Sequence, residues 1–153
     1  SVVNISDDTI ARLAELPNIV GLKDATGDLA RPYTLRAKLK KPFQLFSGED
    51  MTAVAFNVSG GHGCISVASN IMPKACAEIQ NACSISDYVS ALTLQDKLVE
   101  LNDILFCETS PIPVKYAAHL MGKCLPNLRL PLVEASDSSK DKIKKILSKL
   151  SLL

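Results

Sequence analysis

Three short apolar runs, Ile19-Val20-Gly21-Leu22, Phe43-Gln44-Leu45-Phe46 and Cys64-Ile65-Ser66-Val67-Ala68, recur along the first half of the chain with helical patterning between them. Runs that stay apolar without strict alternation are what strands covered on both faces require, and such strands belong to parallel sheets. Parallel neighbours need a crossover, normally a helix, and the segments between the runs supply one each time. Repeated units of this kind predict an α/β fold with right-handed crossovers, either doubly wound or a (β/α)8 TIM barrel.

The helical segments carry their own signals. Ser6 is placed to cap a helix with Asp7 and Asp8 in its first turn and Ile10, Leu13 and Ala14 on one face, ended by Pro17-Asn18. A second helix is predicted from Pro32 to Lys40, stopped by Pro42, and a third from Met51 to Val58, followed by the turn Gly60-Gly61-His62-Gly63. Beyond Pro73 the strand pattern ceases. Helices are predicted over 74–82, 85–105, 114–120 and 139–150, so the chain divides into a barrel-like part, 1–73, and a helical part, 74–153. The last helix starts at Ser138, Ser139 and Asp141, and Lys140, Lys142, Lys144, Lys145 and Lys149 read as its solvated face.

Composition removes several classes of function. The 153 residues are 47% hydrophobic, enough for a packed core, which argues against disorder. Seventeen Lys and Arg against sixteen Asp and Glu leave a net charge of +1, so nothing draws the chain to nucleic acid or to a membrane surface. No apolar run reaches the roughly 20 residues of a membrane span. Cys64, Cys76, Cys83, Cys107 and Cys124 form no CxxC pair and meet no histidine at metal-ligand spacing. They read as reduced cytosolic thiols packed as small hydrophobes, with no metal expected.

Lys23 is the residue with the most chemistry, because it ends an apolar strand where an ammonium is costly to bury. Alternation puts it on one face with Gly21 and Ile19, while Asp24 and Leu22 point the other way, so Asp24 is badly placed to neutralise it. Two readings remain open at this point. The side chain snorkels out of the strand end, or it is a desolvated free amine able to attack a carbonyl as a Schiff-base nucleophile. Ser47, Gly48 and Ser66 also end strands, at the mouth where α/β folds collect their functional groups, although each serine is equally well a local cap. The glycine turn leads into a strand and does not open a helix, which is the wrong setting for a phosphate loop. His62 on it reads either as an acid or base or as a surface histidine.

Taken together, Asn18-Ile-Val-Gly-Leu-Lys23-Asp-Ala-Thr-Gly27, Phe46-Ser-Gly-Glu-Asp50, Gly60-Gly-His-Gly-Cys-Ile-Ser-Val67 with Asn70, Ser110-Pro-Ile-Pro-Val-Lys115 and Leu128-Arg-Leu-Pro131 resemble, in order, the dihydrodipicolinate synthase family of pyruvate-dependent class I aldolases. The resemblance implies that Lys23 forms an imine with pyruvate, that Gly48 lies against the bound pyruvate, and that the Ile65 carbonyl sits beside the imine. It implies condensation with aspartate 4-semialdehyde to 4-hydroxy-tetrahydrodipicolinate in lysine and diaminopimelate biosynthesis, no cofactor, a cytoplasmic setting and a homotetramer built as a dimer of dimers. Asp24, Cys64 and Ser110 stand where the family more often has Glu, Val and Asn.

A complete barrel of this kind takes about 250 residues and eight strands. Three strands and a helical tail correspond to about strands six to eight, the C-terminal half. The expectation is a fragment, inactive alone, that works with the N-terminal half of the same enzyme, where the family carries its proton-relay and carboxylate-binding groups. The first residue, Ser1 in place of Met, fits that expectation. Another pyruvate-dependent aldolase, a non-catalytic fragment and a nucleotide-binding module are the alternative readings.

Overall fold

The first helix begins where its cap dictates. In the computed structural model, which describes residues 3–153, Ser6 lies in extended conformation and its Oγ accepts from Thr9 N at 3.3 Å, opening α1 (Asp7–Ala14). The chain then runs through β1 (Gly21–Asp24), α2 (Arg31–Lys38), β2 (Gln44–Ser47), α3 (Ala53–Val58), a 3-10 turn (Ala68–Asn70), α4 (Pro73–Ser84), α5 (Tyr88–Asp96), α6 (Val99–Ile104), α7 (Ile112–Leu120) and α8 (Asp137–Lys149).

β1 and β2 pair in parallel with Gly21 opposite Gln44 and Asp24 opposite Ser47. Both strands lie further along the chain than the apolar runs suggest. Ile19 N–H is taken by Leu16 O in the turn after α1, and Val20, which offers only its carbonyl to Gln44, is 64% exposed. The third predicted strand, Cys64–Ala68, is not a strand. It makes one parallel bridge, Cys64 to Ser47, and then leaves the ladder. The cause is Asp50, whose Oδ2 accepts from Val67 N at 2.8 Å and from Ala68 N at 3.1 Å and so draws the chain into the 3-10 turn. Carboxylate acceptance of two main-chain donors outcompetes the β preference of Val67.

The helix predicted over 85–105 is also two helices. α4 continues to Ser84 and ends through Ser86 in the left-handed region (φ 62°), and Asp87 then caps α5 by accepting from Ser90 N at 3.1 Å. The break before α6 follows from Gln95, whose Oε1 accepts from Val54 N at 3.2 Å while its amide donates to Met51 O. With that side chain committed inward to α3, Leu98 N–H closes on Gln95 O at 2.8 Å as a tight turn.

Two apolar clusters result. One, with Ile10, Leu35, Phe43, Leu45 and Phe56, lies between the two-stranded sheet and α1, α2 and α3. The larger one joins Val54, Ala68 and Ile71 to Leu101, Leu105, Ile143 and Leu147 of the helical part. α8 starts at Asp137, earlier than the serines suggest, because Ser136 is its cap and Glu108 accepts from both Ser136 N (3.0 Å) and Ser136 Oγ (2.7 Å). Lys142, Lys144, Lys145 and Lys149 of this helix are exposed, the last paired with Glu100 at 2.6 Å. No helix among the described residues is long and apolar enough to cross a membrane.

Candidate active site

Lys23 is the third residue of β1, opposite Phe46 of β2. It is exposed while its neighbour Asp24 is buried, so the two side chains point to opposite faces as strand alternation requires. Of the two readings open for it, a desolvated amine and a side chain reaching out of the strand end, Lys23 shows the second in this chain. Its stem lies over Gly48, where a Cβ would come within 2.8 Å of Lys23 Cε and 2.8 Å of Ala25 Cβ. Gly48 is held in place by its N–H, donated to Asp24 O at 2.6 Å. The absence of a side chain there is what gives the lysine room.

Ile65 joins the same strand ends by donating its N–H to Ser47 O at 2.8 Å. Its side chain is about half exposed. The two serines behave differently. Ser47 Oγ donates to Glu49 O at 2.9 Å and accepts from Glu49 N at 3.0 Å, and Ser66 Oγ accepts from Ser69 N at 2.8 Å. Both hydroxyls serve their own turns, the capping alternative of the sequence reading, and Ser66 Oγ also donates to Cys76 Sγ at 3.8 Å. Lys23 and Gly48 therefore meet at adjacent strand ends, Ile65 stands on the next segment beside Ser47, and Ser47 and Ser66 support the turns there.

Asp24 has its own cation, which sequence reasoning missed. Its Oδ1 accepts from Thr26 N (2.9 Å), Thr26 Oγ1 (2.8 Å) and Arg31 Nη1 (3.4 Å), and Arg31 Nε reaches Asp7 Oδ1 at 3.0 Å. The available signal was Arg31 itself. A cation at the first residue of a helix faces the positive end of the helix dipole and needs carboxylates to hold it. This network ties the end of β1 to α1 and α2, and so fixes the backbone that carries Lys23.

Asp7 gives the network a pH dependence. The Thr34 hydroxyl, followed by the Arg31 guanidinium, outweighs partial burial and holds its carboxyl below the ordinary carboxylate range. A depressed folded value means that the ionised form is favoured by folding. The contribution is complete above the unfolded carboxylate value and is lost as pH falls through the folded one. Urea titrations at stepped pH are expected to show Asp7→Asn less stable than wild type at neutral pH, with the gap closing in acid. A gap that stays constant down to acid pH would contradict the assignment.

Asp50 is the second group the sequence reading missed. Besides turning the chain at Val67, it faces Cys64 Sγ at 4.0 Å. Burial first, and the Asp50 charge second, push the Cys64 thiol up to about 12, and burial raises Cys76 as well. Both stay protonated and act as small packing groups, and all five cysteines are free. No cluster among the described residues has the makings of a metal site. His62 is exposed, with its ring against the start of β2, away from the strand ends that carry Lys23. The turn before it opens no helix, so the phosphate-loop reading finds no support.

The sequence model of the Dihydrodipicolinate synthetase family matches residues 1–150. The 4-hydroxy-tetrahydrodipicolinate synthase of Afipia carboxidovorans is 49% identical over 153 residues, all of this chain and 52% of that protein. That of Rhodospirillum centenum is 50% identical over the same length, 53% of that protein. Among solved structures, dihydrodipicolinate synthase from Aquifex aeolicus superposes with a TM-score of 0.93 at 36% identity, over 96% of this chain and 50% of that one. The Acinetobacter baumannii enzyme complexed with pyruvate superposes at 0.90 with 42% identity, over 97% and 51%. The chain thus spans about half the length of the relatives it matches. Matched along almost its whole sequence and superposing on half of the solved enzymes, the chain belongs to the dihydrodipicolinate synthetase family.

Proposed function

We propose that this chain is the lysine-bearing half of a 4-hydroxy-tetrahydrodipicolinate synthase, a Schiff-base lyase, and that Lys23 is its nucleophile. The observation that carries the reading is the seating of the Lys23 stem over Gly48, at the C-terminal ends of two adjacent parallel strands. α/β barrels collect their chemistry at that end. β1, β2 and the Cys64 bridge correspond in this reading to barrel strands six to eight.

The Lys23 amine attacks the C2 carbonyl of pyruvate and water leaves, giving an imine. Loss of a proton from the pyruvate methyl makes the enamine, which bonds to the aldehyde carbon of aspartate 4-semialdehyde. The amino group of the adduct then displaces Lys23 from the former imine carbon, closing the ring and freeing the enzyme amine. The protonated imine is the electron sink, so the lysine supplies what a cofactor would otherwise provide. Gly48 leaves space for the three-carbon unit, and the Ile65 carbonyl is an acceptor beside it. A free amine at Lys23 requires desolvation, and the segment equivalent to the other half of the relatives is the cover that provides it and brings the proton-transfer groups. The complete assembly is a homotetramer.

The test is complementation. This chain mixed with the complementary half of the Afipia relative is expected to consume pyruvate with aspartate semialdehyde, and neither half alone to do so. Turnover only with other aldehydes would move the assignment to another pyruvate aldolase, and no turnover with any aldehyde would favour a non-catalytic chain.

A further inference from the structure

In a parallel ladder a residue donates its N–H to the residue before its partner and accepts from the residue after it. Ser47 does this with Cys64, donating to Gly63 O at 2.9 Å and accepting from Ile65 N at 2.8 Å. Two residues earlier, Leu45 should repeat the pattern around position 62 by donating to Gly61 O. It does not. The chain turns at Gly60 (φ +92°), and Gly61 is drawn to the end of α3, where its N–H is donated to Phe56 O at 3.0 Å. Leu45 is 1% exposed, so its N–H has no recourse to water and needs an acceptor.

That acceptor is a side chain. Leu45 N donates to His62 Nδ1 at 3.1 Å, while His62 N donates to Leu45 O at 2.8 Å. One residue thus closes both ends of the Leu45 peptide positions, its ring nitrogen standing where a strand carbonyl would stand. Since the amide can only donate, Nδ1 is bare and the ring proton sits on Nε2. The imidazole also lies beside the Phe46 ring, 6.5 Å between centroids.

We propose that His62 is a positioning residue whose neutral imidazole acts as a surrogate strand carbonyl, setting the register in which Gly63–Ile65 lies along β2. Through that register it places the Ile65 carbonyl. Only this last consequence rests on the proposed function; the ladder role does not.

The test is amide hydrogen exchange on the full chain, as wild type, His62→Phe and His62→Asn. Phenylalanine keeps the ring's bulk beside Phe46 without an acceptor, and asparagine sets its Oδ1 close to where Nδ1 stands. The Leu45 and Ile65 amides are expected to exchange roughly tenfold faster in His62→Phe and to return to within about threefold of wild type in His62→Asn. Packing alone would give the opposite order. Nitrogen-15 spectra of the wild-type imidazole are expected to show a bare Nδ1. A protonated Nδ1, or His62→Asn exchanging as fast as His62→Phe, would overturn the proposal. Neither readout involves pyruvate, so a Lys23 that binds none would defeat the proposed function and leave the role of His62 standing.

Discussion

Lys23→Arg, assembled with the complementary half of a relative, forms no borohydride-stable adduct with pyruvate and loses condensing activity by at least on the order of 10³-fold. The substitution keeps a long cationic side chain in the same place, so packing and net charge are preserved. What it removes is the ability to become a free amine, since a guanidinium does not deprotonate in a protein. Among the described residues Lys23 makes no ion pair, and its stem touches Gly48, so the fold asks little of its headgroup. The melting temperature of the variant is accordingly expected to match wild type. An arginine variant that retains pyruvate-dependent turnover would place the nucleophile elsewhere.

Gly48→Val is the second large effect. A Cβ at this position meets Lys23 Cε and Ala25 Cβ at 2.8 Å, closer than carbon atoms approach, and the branched side chain fills the space over the strand end. The lysine stem is the movable neighbour and swings aside, while the contact with Ala25 Cβ is relieved only by a shift of the backbone at that strand end. Displacing a nucleophile by about 1 Å costs on the order of 10²-fold in rate. The expected loss is of that size in kcat, with an accompanying rise in the KM for pyruvate because the space against the backbone is filled. Steady-state kinetics on the complemented enzyme reads both, and a loss confined to the aldehyde KM would contradict the placement of Gly48.

The sheet was legible in the apolar runs because Leu45 of β2 and Leu22 of β1 join Ile10, Leu35 and Phe56 of α1, α2 and α3 in one apolar cluster. The third run misled for a reason that sequence pattern does not carry. Val67 has strand chemistry, yet its N–H is captured by Asp50, seventeen residues earlier in the chain. The long helix over 85–105 failed similarly, since Gln95 is an ordinary helix former until the Met51 carbonyl before α3 and the Val54 N–H within it come into reach. Caps made by neighbouring residues were the readable part, as Ser6 shows.

Within the site, strand alternation correctly separated Lys23 from Asp24, and Gly48 lies under the lysine stem. The serines took the capping role that the sequence also allowed. Ser47 and Ser66 end strands, but a hydroxyl two or three residues from free main-chain donors binds those first. Arg31 and Asp50 were invisible as a pair of organising charges because their partners, Asp7 and Asp24 in one case and Val67 and Ala68 in the other, become neighbours only after folding.

The most direct test of the central claim is borohydride reduction in the presence of pyruvate followed by peptide mass spectrometry of this chain, alone and with the complementary half. A single reduced adduct is expected on the peptide carrying Lys23, formed in the assembled enzyme. An adduct on another lysine with Lys23 unmodified, or none in either preparation, would contradict it.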